Sequence, residues 1–120
     1  MASPAETVER YFDAWTSNDF DTARSLLEDD LEFRGPIDTF DNADALIESI
    51  KGLSQILTGA HRRGVVADGD QVCVIYDLET APVGTAPVAE WYRVREGKIA
   101  SLQAFFDARP FAPLFEQRPH

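Results

Sequence analysis

The chain has one cysteine, two histidines and eleven lysines and arginines, against 21 aspartates and glutamates in 120 residues. Each scarcity excludes something. Cys73 alone cannot form an internal disulfide, which fits a reducing compartment such as the cytoplasm. His61 and His120 are far apart in sequence, and no spacing of ligating residues outlines a zinc site, so neither metal nor other cofactor is expected. The formal net charge of -10 argues against nucleic acid and against anionic membrane surfaces, since both need a basic footprint. No long uncharged apolar run occurs, and MASPAETVERYF has no basic segment ahead of an apolar one, so no membrane span or targeting segment is expected.

What is present is enough for one core: 44% of the residues are apolar, and residues 1–120 are expected to form a single domain with 1–3 and 116–120 flexible. Ser3-Pro4-Ala5-Glu6 reads as a helix start, with Ser3 as cap and Glu6 closing a capping box. Val8, Tyr11, Phe12 and Trp15 then recur at helical spacing on one stripe. Asn18 or Asp19 caps a second short helix whose Phe20, Ala23, Leu26 and Leu27 face inward, and Leu31 to Arg34 alternates as a strand. A third helix starts at Asp41 with Asp44, and Leu46, Ile47, Ile50, Leu53 and Leu57 mark its packed face.

From Ala60 the period changes to two. Strands are predicted over 60–67, 71–80, 86–95 and 98–107, separated by Asp68-Gly69, by Pro82-Val83-Gly84-Thr85 and by Glu96-Gly97. Turns this short make an antiparallel, curved sheet. The tail RPFAPLFEQRPH, with three prolines and three large apolar residues, is expected to be extended and to pack somewhere rather than form an element.

This order of elements resembles the cone-shaped fold of the nuclear transport factor two superfamily, which includes SnoaL-like polyketide cyclases, ketosteroid isomerases and limonene epoxide hydrolases. The likeness rests on FDAWTSND, DDLEFRGP, DNADALIESIKGL and EGKIASLQAFFDARPF, and spans almost the whole chain. It implies an α+β fold in which three N-terminal helices pack on a strongly curved, mainly antiparallel sheet around a deep apolar pocket. Such a pocket is a default ligand site. By the likeness to ketosteroid isomerases, Tyr11 and Glu90 match the two oxyanion-hole donors, while Gly35 stands where the carboxylate base would be. Asp38 could replace that base only if the loop after Pro36 folds back. By the likeness to limonene epoxide hydrolases, Asp77 matches one catalytic aspartate, but Ile75, Ala104, Phe33 and Gly35 occupy the other four positions.

Spacing alone adds a register. If Val83-Gly84 is a two-residue turn, Asp77 stands opposite Glu90, Ile75 opposite Tyr92 and Cys73 opposite Val94, all on one face. Leu102, Ala104 and Phe106 alternate toward the same cavity. Two carboxyls under apolar walls cannot both ionise cheaply, so one is expected to have a raised pKa, as general acid–base catalysis near neutral pH requires. A single-residue slip would send the two acids to opposite faces, and acids on sheets are commonly solvated.

The catalytic candidates are therefore Asp77, Glu90 and Tyr11. Trp15, Phe33, Gly35, Cys73, Ile75, Tyr92, Leu102, Ala104 and Phe106 are the candidate walls. Tyr11 and Trp15 could equally be core residues, Cys73 a small buried apolar one, and His61 a surface residue. Three functions fit: a SnoaL-like enzyme acting on a compact apolar substrate, a non-catalytic pocket for a small apolar metabolite, or a scaffold. Homodimerisation through the outer sheet face, with Trp91, Phe105 and Val74 in contact, is compatible with each.

Overall fold

The computed structural model describes residues 2–113. Helix α1, Pro4–Thr16, starts in the expected capping box: the Glu6 amide donates to the Ser3 hydroxyl at 3.1 Å and the Ser3 amide to the Glu6 carboxylate at 3.5 Å. Met1 and 114–120, with most of the proline-rich tail and His120, lie outside the described residues. The stripe of Val8, Tyr11, Phe12 and Trp15 is buried, as its spacing requires. Asp19 caps α2, Phe20–Ser25, by accepting from the Thr22 amide, and Leu27 already belongs to β1, Leu27–Arg34.

The loop after Pro36 turns back on β1. The Gly35 amide donates to the Asp38 carbonyl at 3.0 Å, and β2, Thr39–Phe40, pairs antiparallel with Arg34 and Phe33. Helix α3, Ala43–Ser54, is capped by Asn42, whose side chain accepts from the Ala45 amide at 2.8 Å, rather than by Asp41. It ends earlier than its apolar spacing predicts. The Gln55 and Ile56 amides bond three residues back to Gly52 and Leu53, tightening the last turn, and Leu57 becomes the first residue of β3, Leu57–Asp68.

Strands β4, Gln71–Thr80, β5, Gly84–Arg95, and β6, Lys98–Phe105, complete a six-stranded sheet in the order β2-β1-β6-β5-β4-β3. Every pairing is antiparallel except β1 with β6. Irregularities within β1, β3 and β6 bend the sheet, and its inner face packs on α1 and α3. The β5–β6 turn has positive φ at both Glu96 (52°) and Gly97 (78°), the backbone that a tight two-residue hairpin demands. After Phe105 the chain makes a short 3-10 turn, Arg109–Phe111, where no element was expected, and Phe111 packs in the core. No helix among the described residues is long and apolar enough to cross a membrane.

The β4–β5 hairpin corrects the predicted register. Thr80 pairs with Gly84, so the loop is Ala81-Pro82-Val83, and Gly84 re-enters the ladder at φ 82°, a conformation glycine adopts without penalty. Glu90 consequently faces Val74, three residues from Asp77, and Asp77 faces Pro87. An odd shift inverts every facing on one strand relative to the other. Val72, Val74, Tyr76 and Leu78 point inward with Val88, Glu90 and Tyr92, while Cys73, Ile75 and Asp77 point outward with Trp91.

Candidate functional site

A pocket of about 470 Å³ lies between the inner sheet face, α1, α3 and the β1–β2 turn. Its rim is exposed at Pro36, Glu48, Ser49 and Gly52, and its far end is buried at Tyr11, Trp15, Tyr76 and Glu90. Between them the wall is apolar, with Leu46, Ile50, Leu53, Leu78 and Val88 among its residues.

Glu90 gives the site its chemistry. It sits in the middle of β5, hydrogen-bonded on both sides into the sheet, with only 8% of its surface exposed. Tyr92, two residues on and so on the same face, donates its hydroxyl to Glu90 Oε1 at 2.8 Å. Burial raises the Glu90 pKa from 4.5 to about 7; the Tyr92 hydrogen bond opposes that rise, and Tyr76 opposes it to a smaller degree. The tyrosines respond in turn. Burial, then the nearby Glu90 charge, pushes the phenols of Tyr11, Tyr76 and Tyr92 well above their ordinary value, so all three stay neutral hydrogen-bond donors. Aromatic contacts fix the cluster: Tyr11 meets Tyr92 edge-on at 6.0 Å, and Tyr76 meets Phe12 at 5.0 Å and Trp15 at 6.1 Å between ring centroids.

Of the residues singled out from sequence, Tyr11, Trp15, Phe33, Gly35 and Glu90 line the pocket, together with Leu102, Ala104 and Phe106. Tyr92 is fully buried and holds Glu90 rather than forming wall. Three do not belong. Asp77 is on the outer face, 3.6 Å from Arg63, and cannot share a proton with Glu90. Ile75 is 42% exposed on that face, and Cys73 lies on it too, because the three-residue hairpin loop inverts β4. Val74, expected outside, is fully buried inside for the same reason. The same inversion hid Tyr76. A signal was available: Val72, Val74, Tyr76 and Leu78 form a more apolar row than Cys73, Ile75, Asp77 and Glu79, and matching apolar rows across the hairpin selects the observed register.

Gly35 has a steric reason. A Cβ there would lie 3.0 Å from Phe33 Cε1 and 3.4 Å from the Asp38 carbonyl oxygen. A side chain there would crowd the Phe33 ring, so glycine lets the turn close without displacing it, and Asp38 is brought to the pocket lining. Among the described residues no cluster of His, Cys, Asp or Glu could hold a metal ion.

A model of the SnoaL-like domain matches residues 8–102. Among solved structures, a protein from Kribbella flavida DSM 17836 shares 34% identity over 93% of each chain, with a TM-score of 0.86. An LEH-like epoxide hydrolase from M. tuberculosis shares 21% identity over 94% of this chain and 90% of its own, with a TM-score of 0.76. A putative polyketide cyclase from Sinorhizobium meliloti shares 20% over 82% and 93%, also at 0.76. At those identities the last two bear on the fold alone. None of the curated proteins matches the sequence.

Proposed function

The chain belongs to the SnoaL-like domain family, and on that footing we propose that it carries out general acid–base chemistry on a compact apolar molecule bearing a carbonyl, enol or epoxide oxygen. The observation that carries this reading is Glu90: a single buried carboxyl at the deep end of an apolar pocket, with its pKa raised to about 7. A group so poised is present in both forms at neutral pH and can give or take a proton at comparable cost. Tyr11 and Tyr76, on the same wall, are neutral donors that can bond to an oxygen on which charge develops. The chemistry calls for no cofactor. The test is a panel of apolar ketones, enol-forming diketones and epoxides, with turnover followed against pH. A rate that titrates near pH 7 and falls about 10²- to 10⁴-fold in Glu90→Gln supports the assignment; undiminished turnover in that variant ends it.

One observation favours a second reading. With Asp77 on the outer face, Glu90 has no carboxyl partner beside it among the described residues, which suits a pocket that binds without turnover. A pure binder would turn over nothing in the panel and would lose affinity on Trp15→Ala or Phe106→Ala. For either reading we assign self-association to the outer sheet face, where Ile75, Trp91 and Phe105 are 42%, 44% and 48% exposed. A dimer in sedimentation that weakens in Trp91→Ala supports that surface.

A further inference from the structure

We propose that the deep end of this pocket is a receptor for compact protonated amines, with the ammonium group held against the Glu90 carboxylate among the rings of Tyr11, Trp15 and Tyr76 and the apolar body directed toward the rim. The proposal rests on the contact between Glu90 and ligand assigned above, but not on turnover.

Charge is the first argument. Among the described residues that line it, three carry carboxyls, Asp38, Glu48 and Glu90, and none is lysine, arginine or histidine. The whole chain carries -10, so the pocket attracts cations and repels anions over its full depth. The walls are the second. Trp15 and Tyr76 are neighbours with centroids 6.1 Å apart and planes inclined at 65°, Tyr11 adds a third lining ring, and a desolvated cation within about 6 Å of such a ring's centroid is stabilised by its quadrupole. The third is unused bonding capacity. Tyr92 donates to Oε1 at 2.8 Å and Tyr76 adds a weaker hydrogen bond, which leaves about two of the carboxylate's roughly four acceptor sites open. An ammonium donates three N–H bonds and removes the penalty that burial places on the carboxylate's charge, which neither a neutral nor an anionic ligand can do.

The groups around Glu90 allow a clean pH test. Tyr92 on its own strand, Tyr76 on β4 and Tyr11 on α1 stay neutral because burial raises all three, and the facing residue on β6 is Ala104. Asp38 and Glu48 line the same pocket nearer the rim. An aliphatic ammonium, like that of lysine, keeps its proton to about pH 10. Between pH 8 and pH 5 the change at the deep end is therefore protonation of Glu90.

The experiment is calorimetric titration with three ligands of one shape, 1-adamantylammonium, 1-adamantanol and 1-adamantanecarboxylate, at pH 5 and pH 8. At pH 8 the ammonium should bind at least about tenfold tighter than the alcohol and should weaken by about ten- to a hundredfold at pH 5, as linkage to Glu90 requires. The alcohol should not weaken at pH 5, and the carboxylate should not bind. Glu90→Gln should retain the alcohol, which shows an intact pocket, and lose both the preference for the ammonium and its pH dependence. The proposal is overturned if the ammonium binds no tighter than the alcohol at pH 8, if its affinity ignores pH, or if neither ligand binds. Loss of the amine preference with turnover still dependent on Glu90 would leave the acid–base reading standing; amine binding without turnover of any panel compound would leave only the receptor.

Discussion

The β4–β5 ribbon presents two acids with opposite fates. On the inner face Glu90 is 8% exposed, hydrogen-bonded to Tyr92 and raised to about 7. On the outer face Asp77 has a side chain 29% exposed and is paired at 3.6 Å with Arg63, itself in water. Their chemistry differs little; their surroundings differ in everything. A carboxyl denied solvent makes burial the dominant influence on its proton, whereas one at the surface trades water for a screened ion pair of small net value. The comparison shows that facing, fixed here by one hairpin loop, decides which of two similar carboxyls is buried against the pocket.

The sharpest way to break this contrast is to remove Glu90's titration and watch stability. In the unfolded chain its carboxyl releases the proton near 4.5, while in the fold it holds it to about 7. Across that window the fold binds a proton the unfolded chain has lost, so stability falls as pH rises from 4.5 to 7 and is level above. Glu90→Gln has no such dependence. Denaturation of both proteins at pH 5 and pH 8 should therefore show the variant gaining about 2 to 3 kcal/mol on the parent at the higher pH, somewhat less than the full equivalent of the shift because pH 5 already lies above 4.5. An unchanged gap would mean that Glu90 is solvated and the two faces are alike.

The sequence carried the fold further than the site. The starts of α1 and α2 were legible because their chemistry is local: Ser3 with Glu6 and Asp19 with Thr22 bond within three residues, whereas the start of α3 was placed at Asp41 and its cap is Asn42. Strand β4 was legible to its exact ends, 71–80, because alternation and flanking turns agree. The junction at Leu57 was not, since its apolar spacing continues the helix and only the pull of the sheet moves it to β3. The inner face was lost in three residues. Pro82-Val83-Gly84-Thr85 allows several loops, and the one adopted is selected by long-range burial of Val72, Val74 and Tyr76, information absent from the turn itself. Tyr11 and Glu90 were found all the same, because their placement came from the family likeness and from β5 rather than from the facing of β4.

A smaller effect sharpens what holds the inner acid. The hydroxyl of Tyr92 favours the charged form of Glu90 through the 2.8 Å hydrogen bond, so Tyr92→Phe should move the Glu90 midpoint upward from about 7. Isotope-edited NMR of the glutamate side-chain carboxyls against pH would follow that midpoint directly. The stability cost should be about 1–2 kcal/mol and should be larger at pH 8, where the carboxylate needs its donor, than at pH 5. A midpoint that stays or falls would transfer the holding role to Tyr76.

The smallest expected effect belongs to the outer acid. Asp77→Asn removes one charge from an exposed pair with Arg63 and leaves an isosteric side chain on the same face, so stability should change by no more than about 0.5 kcal/mol. Ligand preference and the Glu90 midpoint should not move, because the charge lies on the far side of the sheet from the pocket. The variant earns its place as the check on register. If Asp77→Asn were to shift the Glu90 midpoint downward by relieving a neighbouring negative charge, the two acids would have to share a face, and the β4–β5 ladder would be out by three residues.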